Sequence, residues 1–183
     1  MARVYLSLGS NAGDRLAVLK AAVQRLHGLA AVRFLDASPL YDSEPWEIEP
    51  GRSAGEQSWY LNCVVAVETT LAPRALLAEM QTIETALGRT RPPGTPEARR
   101  FAARTLDIDI LLYGDRVISV PDELHVPHLL LHERHFVLRP LADLAPELVH
   151  PTLYRTVREL LDELDDPHEV RPSATPRHWF DLS

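Results

Sequence analysis

The spacing of hydrophobic residues changes period along the first 113 positions in an order that leaves few folds open. Residues 3–8 (RVYLSL) are β-formers that stop at Gly9-Ser10-Asn11, so a strand and a tight turn are expected. Leu16, Leu19, Ala22, Val23 and Leu26 then recur at helical spacing, with Asn11 or Asp14 available as the cap. Residues 32–41 read as a second strand, in which Pro39 pushes part of the run toward an edge or a bulge. Residues 59–69 (WYLNCVVAVET) make a strong third strand. A helix over 73–87 follows, with Pro73 in its first turn, Gly88 after its end, and Leu76, Leu77, Met80, Ile83 and Leu87 on its buried face. From Leu106 to Tyr113 the chain alternates, with Leu106, Ile108 and Ile110 on one face and Asp107 and Asp109 on the other. The order β-α-β-β-α-β predicts a split βαβ arrangement, an antiparallel sheet covered on one face by helices.

Beyond this unit the signals weaken. Val117 to Val120 reads as a short partner strand, and residues 129–140 and 153–164 read as helices. A single catalytic domain is expected over residues 1–164. The tail, 165–183, contains three prolines and little periodicity apart from HWF at 178–180, and is expected to be surface-packed or partly disordered. Hydrophobic residues make up 45% of the 183, ordinary for a water-soluble domain. Cys63, the one cysteine, permits no internal disulfide, so a reducing cytoplasm is the expected location. No apolar stretch approaches the ~20 residues of a membrane span, and the N-terminus reads as a strand rather than a signal peptide.

With 26 acids against 19 bases, the net charge of -7 lacks the broad basic field of a nucleic-acid binder. An anion site must therefore come from local arginines. Lys20 is the only lysine; a compositional bias of the genome explains that before any functional preference does.

Asp107 and Asp109, two apart on a strand, leave one face side by side. A solvated strand face and a divalent-cation pair both fit that pattern. Hard Mg²⁺ takes one or two carboxylates together with water and phosphate oxygens. The neighbours favour the cation: Arg89, Arg91, Arg99, Arg100 and Arg104 lie upstream in or beside a Pro- and Arg-rich connection, with His128 and Arg134 downstream. Carboxylates for a metal beside arginines for polyphosphate are the parts of phosphoryl transfer. The chain has no GxxxxGK[ST], HRD or DFG. His128 and His132 lack the intervening Glu of a zinc-binding helix, and no Cys is near. Tyr60 and Asn62 share a strand face; core packing accounts for them, as does stacking and hydrogen bonding to a flat heterocycle. The polar connection over 42–58 is long enough to suggest a functional loop.

YLSLGSN, YDSEPW, WYLN, IETALGR, RTLDIDILLYG, VPH and RHFVLRPLADLAPE occur in that order between residue 3 and about 150. Together they resemble the 6-hydroxymethyl-7,8-dihydropterin pyrophosphokinase family of folate biosynthesis. The resemblance implies a ferredoxin-like α+β fold and transfer of pyrophosphate from ATP to the pterin hydroxymethyl group, releasing AMP. It assigns Asp107 and Asp109 to two Mg²⁺ ions. Tyr60 and Phe136 are then to sandwich the pterin, Asn62 to bond its edge, and Ser43, Glu44 and Trp46 to complete its pocket. Arg89, Arg91, Arg104, His128 and Arg134 are to grip the phosphates, with Gln81, Glu84, Phe101 and Ile110 on the nucleotide side. It further implies small-molecule substrates; a monomer with no nucleic-acid, membrane or obligate protein partner is expected. Three departures stand out: RFAART replaces the family's RWGPRT, the connections after Trp46 and Arg89 are longer than usual, and Glu123 stands where some members carry an Arg.

Two other functions share these parts. A metal-dependent nucleotidyl transferase on the same fold would release pyrophosphate rather than AMP. A non-catalytic ligand-binding module would bind without turnover.

Overall fold

Val4, Leu6 and Leu8 point to one side of β1 (Ala2–Ser10) and Tyr5 to the other, and the computed structural model shows both sides covered. It describes residues 1–46, 58–89 and 104–182. Strand β1 pairs on one edge with β5 (Asp107–Tyr113) and on the other with β4 (Tyr60–Thr69). The far edge of β4 carries β2 (Val32–Ala37) and then β3 (Tyr41–Ser43). Outside β3 lies β8 (Val170–Pro172), and every pairing in this six-stranded sheet is antiparallel. A separate hairpin joins β6 (Ile118–Val120) to β7 (Leu124–Val126).

Helices α1 (Arg15–His27) and α2 (Pro73–Ala86) pack Leu19, Leu26, Leu76 and Met80 onto the Val4–Leu6–Leu8 side. The other side receives α3 (His135–Leu144) and α4 (Val157–Asp162), so helices cover both faces rather than one. Val137, Leu138, Leu141 and Val157 there cover Tyr5, Val64, Ala66 and Leu112. The helix signals after residue 128 carried this second layer, but periodicity alone does not say which face a late helix will cover. No described helix is long and apolar enough to cross a membrane.

The element boundaries differ from expectation for local reasons. The strand expected over 32–41 breaks at Ser38-Pro39-Leu40, because Pro39 has no N–H for the ladder. Ser38 keeps the break satisfied: its N–H donates to the Val64 carbonyl at 2.9 Å, and its Oγ accepts from the Val64 N–H at 3.0 Å. The helix expected from 129 begins only at His135. His128 turns the chain first, its carbonyl accepting from Leu131 N–H at 3.0 Å and its Nδ1 from Leu130 N–H at 3.2 Å. The helix expected from 153 starts at Val157, behind a capping box in which Thr156 and Glu159 satisfy each other's backbone N–H.

The segment after Asp165 does more than lie on the surface. Besides forming β8, it buries Trp179 to 3% exposure in the core beneath α1. The indole N–H donates to the Ser38 carbonyl at 2.9 Å, and Phe180 meets Phe34 edge-on at 5.2 Å.

Candidate active site

The α3 side of the sheet is divided. Its apolar half lies under α3; where α3 stops, the strand ends carry polar groups in register. Gly9 stands opposite Asn62 on one neighbour and Asp107 on the other, and Ser7 stands opposite Val64 and Asp109. Ser43 on β3 pairs with Tyr60. Four successive strands, β5, β1, β4 and β3, thus bring Asp107, Asp109, Tyr60, Asn62 and Ser43 to one half of one face, in a row that only this register creates. Asn62 is buried and its Nδ2 donates to Ser43 Oγ at 2.7 Å. Gly9 makes this possible: a Cβ there would stand 2.9 Å from Asn62 Oδ1.

The charged end is held by a network from three elements. Glu84, on the last turn of α2, is 3% exposed and accepts the Ile108 N–H at 2.8 Å, tying helix to strand. The same oxygen pairs with Arg89, whose guanidinium also reaches Asp107 Oδ1 at 2.7 Å. Arg104 pairs with the other oxygen of Asp107. Arg104 is itself fixed by Asn11, whose Oδ1 accepts its N–H at 2.7 Å and whose N–H donates to its carbonyl at 3.1 Å. Burial pulls the Arg104 guanidinium toward neutrality, but the Asp107 carboxylate outweighs it and the group stays firmly charged. Burial drives the Glu84 carboxyl upward, against the pull of the Ile108 N–H and of Arg89.

Asp109 differs from its neighbour. Among the described residues no hydrogen bond or ion pair reaches it, although part of its surface is accessible. Burial first, and the charge of Asp107 second, raise its carboxyl to about 7, with Arg134 and Arg104 opposing. An ionised pair at this spacing calls for a cation. Among the described residues no group of three or more His, Cys, Asp or Glu side chains is arranged to hold a metal ion. Two carboxylates on one strand face are a donor set that an ion completing its shell with water and phosphate oxygens could use.

On the far side of β5, burial and then the charge of Arg134 lower His128 to about 4, so it is neutral at ordinary pH. Its Nδ1 accepts from Leu130 N–H, which leaves the proton on Nε2 as a donor. Arg134 lies over two rings, its Cζ 5.5 Å from the Trp46 centroid and 5.6 Å from Phe136. Trp46 and Phe136 meet edge-on at 6.2 Å.

Not every expected residue joins this assembly. Arg91 and Phe101, like Arg99 and Arg100, lie outside the described residues. The Ile110 side chain is buried among α1 and α2 on the opposite face, leaving only its backbone on the strand edge. Gln81 is exposed on α2, where its carbonyl accepts from the Thr85 hydroxyl. Glu84 faces Ile108 and Arg89. Glu123 pairs with Arg74 at 2.7 Å on the surface. Asn11, which the sequence offers as a turn residue or a cap, holds Arg104; Asp14 caps α1, accepting Ala17 N–H at 3.0 Å. Asp166, His168 and Glu169 reach the Trp46 side of the site from a tail whose sequence gave no periodic signal.

Comparison with known proteins accords with this geometry. A family model described as 7,8-dihydro-6-hydroxymethylpterin-pyrophosphokinase matches residues 5–146. A 2-amino-4-hydroxy-6-hydroxymethyldihydropteridine pyrophosphokinase of Methylorubrum extorquens is 42% identical over 165 residues, 90% of this chain and 95% of that protein. One from Pseudomonas aeruginosa is 41% identical over 149 residues, 81% and 84% of the two chains. The folic acid synthesis protein fol1 of Schizosaccharomyces pombe is 41% identical over 160 residues, but this chain spans only 20% of its length. A Plasmodium falciparum HPPK-DHPS triple mutant superposes with a TM-score of 0.65 at 18% identity, covering 88% of this chain and 44% of that one. The shared architecture is ferredoxin-like α+β.

Proposed function

This chain belongs to the 7,8-dihydro-6-hydroxymethylpterin-pyrophosphokinase family, and on that premise we propose that it transfers the pyrophosphoryl group of ATP to 6-hydroxymethyl-7,8-dihydropterin. The hydroxymethyl oxygen forms a bond to the β-phosphorus, the bond from that phosphorus to the α–β bridging oxygen breaks, and AMP leaves. One observation carries the reading. The aspartate pair with its arginines and the Tyr60–Asn62–Ser43 group lie on one half-face on either side of β1, so a polyphosphate and a flat acceptor can lie side by side over Gly9.

The residues divide accordingly. Asp107 and Asp109 would hold Mg²⁺, two ions in our reading, which when bound neutralises triphosphate charge and polarises the transferring phosphorus. Arg89 and Arg104 stand beside them as rigid guanidinium donors for phosphate oxygens. His128 offers its Nε2–H and Arg134 its charge from the other side. Arg91 and Phe101 are assigned to the nucleotide by motif alone. Tyr60 and Phe136 are the proposed faces for the pterin, with Asn62 as the edge group and Ser43, Glu44 and Trp46 beside it. The single cysteine supports a cytoplasmic enzyme and the acid excess one of small molecules rather than nucleic acid; we read it as a monomer without a membrane partner. The catalytic unit extends through the tail, since Trp179 belongs to the same core.

The reading is tested by incubating the protein with ATP, Mg²⁺ and the dihydropterin. Equimolar AMP and pterin diphosphate are expected. AMP formation indifferent to the pterin would reject the acceptor, and pyrophosphate release would point to nucleotidyl transfer instead.

A narrower test concerns Gly9. Gly9→Ala sets a methyl against Asn62 Oδ1 and must displace the amide from Ser43. The KM for the dihydropterin should rise by about tenfold while the KM for ATP moves little, since one misplaced edge bond costs on the order of 1 kcal/mol. Steady-state kinetics in both substrates decide it; equal shifts in both constants would place the damage in the fold.

A further inference from the structure

Residues 166–171 touch the acceptor side of the site at four points. The Asp166 side chain is 1% exposed. Its Oδ2 accepts the His135 N–H at 2.8 Å, and its Oδ1 accepts the His168 N–H at 3.0 Å and faces the His168 Nδ1 at 2.6 Å. Burial alone would raise this carboxyl, but the N–H groups of His135 and His168 and the His168 ring outweigh it and hold it below the usual range. His135 is the first residue of α3, and Arg134, which precedes it, brings no side-chain cap. The tail carboxylate therefore takes the place of a cap on the helix that presents Phe136.

The second point is His168, whose ring stacks on Trp46 at 4.7 Å with an interplanar angle of 30°. Third, Glu44 and Glu169 bond reciprocally, Glu44 N–H to the Glu169 carbonyl at 3.0 Å and Glu169 N–H to Glu44 Oε2 at 2.8 Å. Fourth, Arg171 Cζ lies 4.3 Å from the Trp59 centroid. Trp46 and Trp59 flank the connection between β3 and β4, so one strap backs an aromatic side chain on each flank.

We propose that this strap is a positioning element for the dihydropterin, with His168 setting the plane of Trp46 and Asp166 fixing both His168 and the Phe136 end of α3. The inference rests on the acceptor assignment above. Its physical content is pre-organisation: an unsupported Trp and helix end must be ordered by the substrate, and that ordering is subtracted from binding. The aspartate pair lies on β5, three strands away from β3 and the strap; Arg134, which lies over Trp46 and Phe136, is the one proposed phosphate group near it, so the main effect falls on acceptor binding rather than on turnover.

The test is steady-state kinetics of His168→Ala, Asp166→Asn and His168→Phe, with Trp46 fluorescence read as the emission component that Trp46→Phe removes. Wild-type turnover with the dihydropterin tests the acceptor assignment independently of these variants; an inactive wild type overturns both readings. With an active wild type, His168→Ala should raise the KM for the dihydropterin by about tenfold, leave kcat and the KM for ATP within about twofold, and shift the Trp46 emission to the red. Asp166→Asn should shift the same constant in the same direction. His168→Phe keeps a ring against Trp46 and should recover most of the loss. A pterin KM unchanged in His168→Ala, or risen in step with the ATP KM, overturns the proposal. If His168→Ala does not fold, the near-isosteric Asp166→Asn decides it by the same criteria.

Discussion

Asp107→Ala and Asp109→Asn are each expected to lower turnover on the order of 10³-fold at saturating ATP, dihydropterin and Mg²⁺, with the fold retained. The two substitutions act differently. Asp107→Ala removes an ion-pair partner from both Arg89, which keeps Glu84, and Arg104. Asp109→Asn changes almost no contact, because no described hydrogen bond reaches that carboxylate. What it removes is the second negative charge on which a divalent ion depends. AMP release measured beside far-ultraviolet circular dichroism separates chemistry from unfolding. A loss below about tenfold in Asp109→Asn would sink the metal assignment, since a neutral amide is a poor substitute for a ligating carboxylate.

The same substitution should stabilise the protein in a chelator. The folded Asp109 carboxyl titrates at about 7, above the ordinary carboxylate range, so the folded state holds the proton more tightly than the unfolded chain. Stability therefore falls as pH rises from the unfolded pKa, near 4, through 7, and the deficit is complete above that. His128 works the other way: its pKa is lowered to about 4, so its contribution improves as pH rises toward its unfolded value near 6.5. Comparing Asp109→Asn with wild type cancels the histidine. The variant should gain roughly 1–3 kcal/mol at pH 8 and little at pH 4. Urea unfolding at the two pH values reads this directly, and added Mg²⁺ should stabilise wild type alone. A variant less stable than wild type at pH 8 would mean that Asp109 makes a favourable contact.

These expectations show which parts of the site were legible in the sequence. Alternation in Leu106–Tyr113 was enough to set Asp107 and Asp109 on one face, because a strand offers only two sides. The same rule sent Ile110 to the core, and the motif resemblance that placed it with the nucleotide ran against that periodicity. Register was not legible: that Gly9 faces both Asn62 and Asp107 follows from pairings among residues far apart in the chain. Nor was the role of Asn11, since an Asn after a strand reads as a turn or cap whether or not it reaches an arginine ninety-three residues away. The late helices were legible as helices but not the face they cover, and the β8 edge was hidden for a related reason. Short elements whose burial depends on a distant partner carry too few residues to establish a period.

Trp179→Ala should cost about 3–5 kcal/mol of stability, the range for truncating a buried aromatic where the cavity cannot collapse. The surroundings resist collapse: the indole is 3% exposed, lies against Phe180 at 5.4 Å, and donates to the Ser38 carbonyl. Ser38 is the residue that satisfies Val64 across the break between β2 and β3, so loosening Trp179 also loosens the joint that leads into β3. Trp179→Phe keeps most of the apolar volume and loses the N–H bond, and about 1–2 kcal/mol is expected from the unpaired carbonyl and the smaller ring. Urea midpoints and slopes followed by circular dichroism give both numbers without relying on the fluorescence of the residue removed. An equal, small loss in both variants, below about 1 kcal/mol, would show that the tail rests on a core already closed without it, and would return the domain boundary to residue 164. The expected ordering instead makes the tail a structural part of the catalytic unit, because the segment that carries Trp179 into the core also carries β8, Asp166 and His168 to the acceptor side of the sheet.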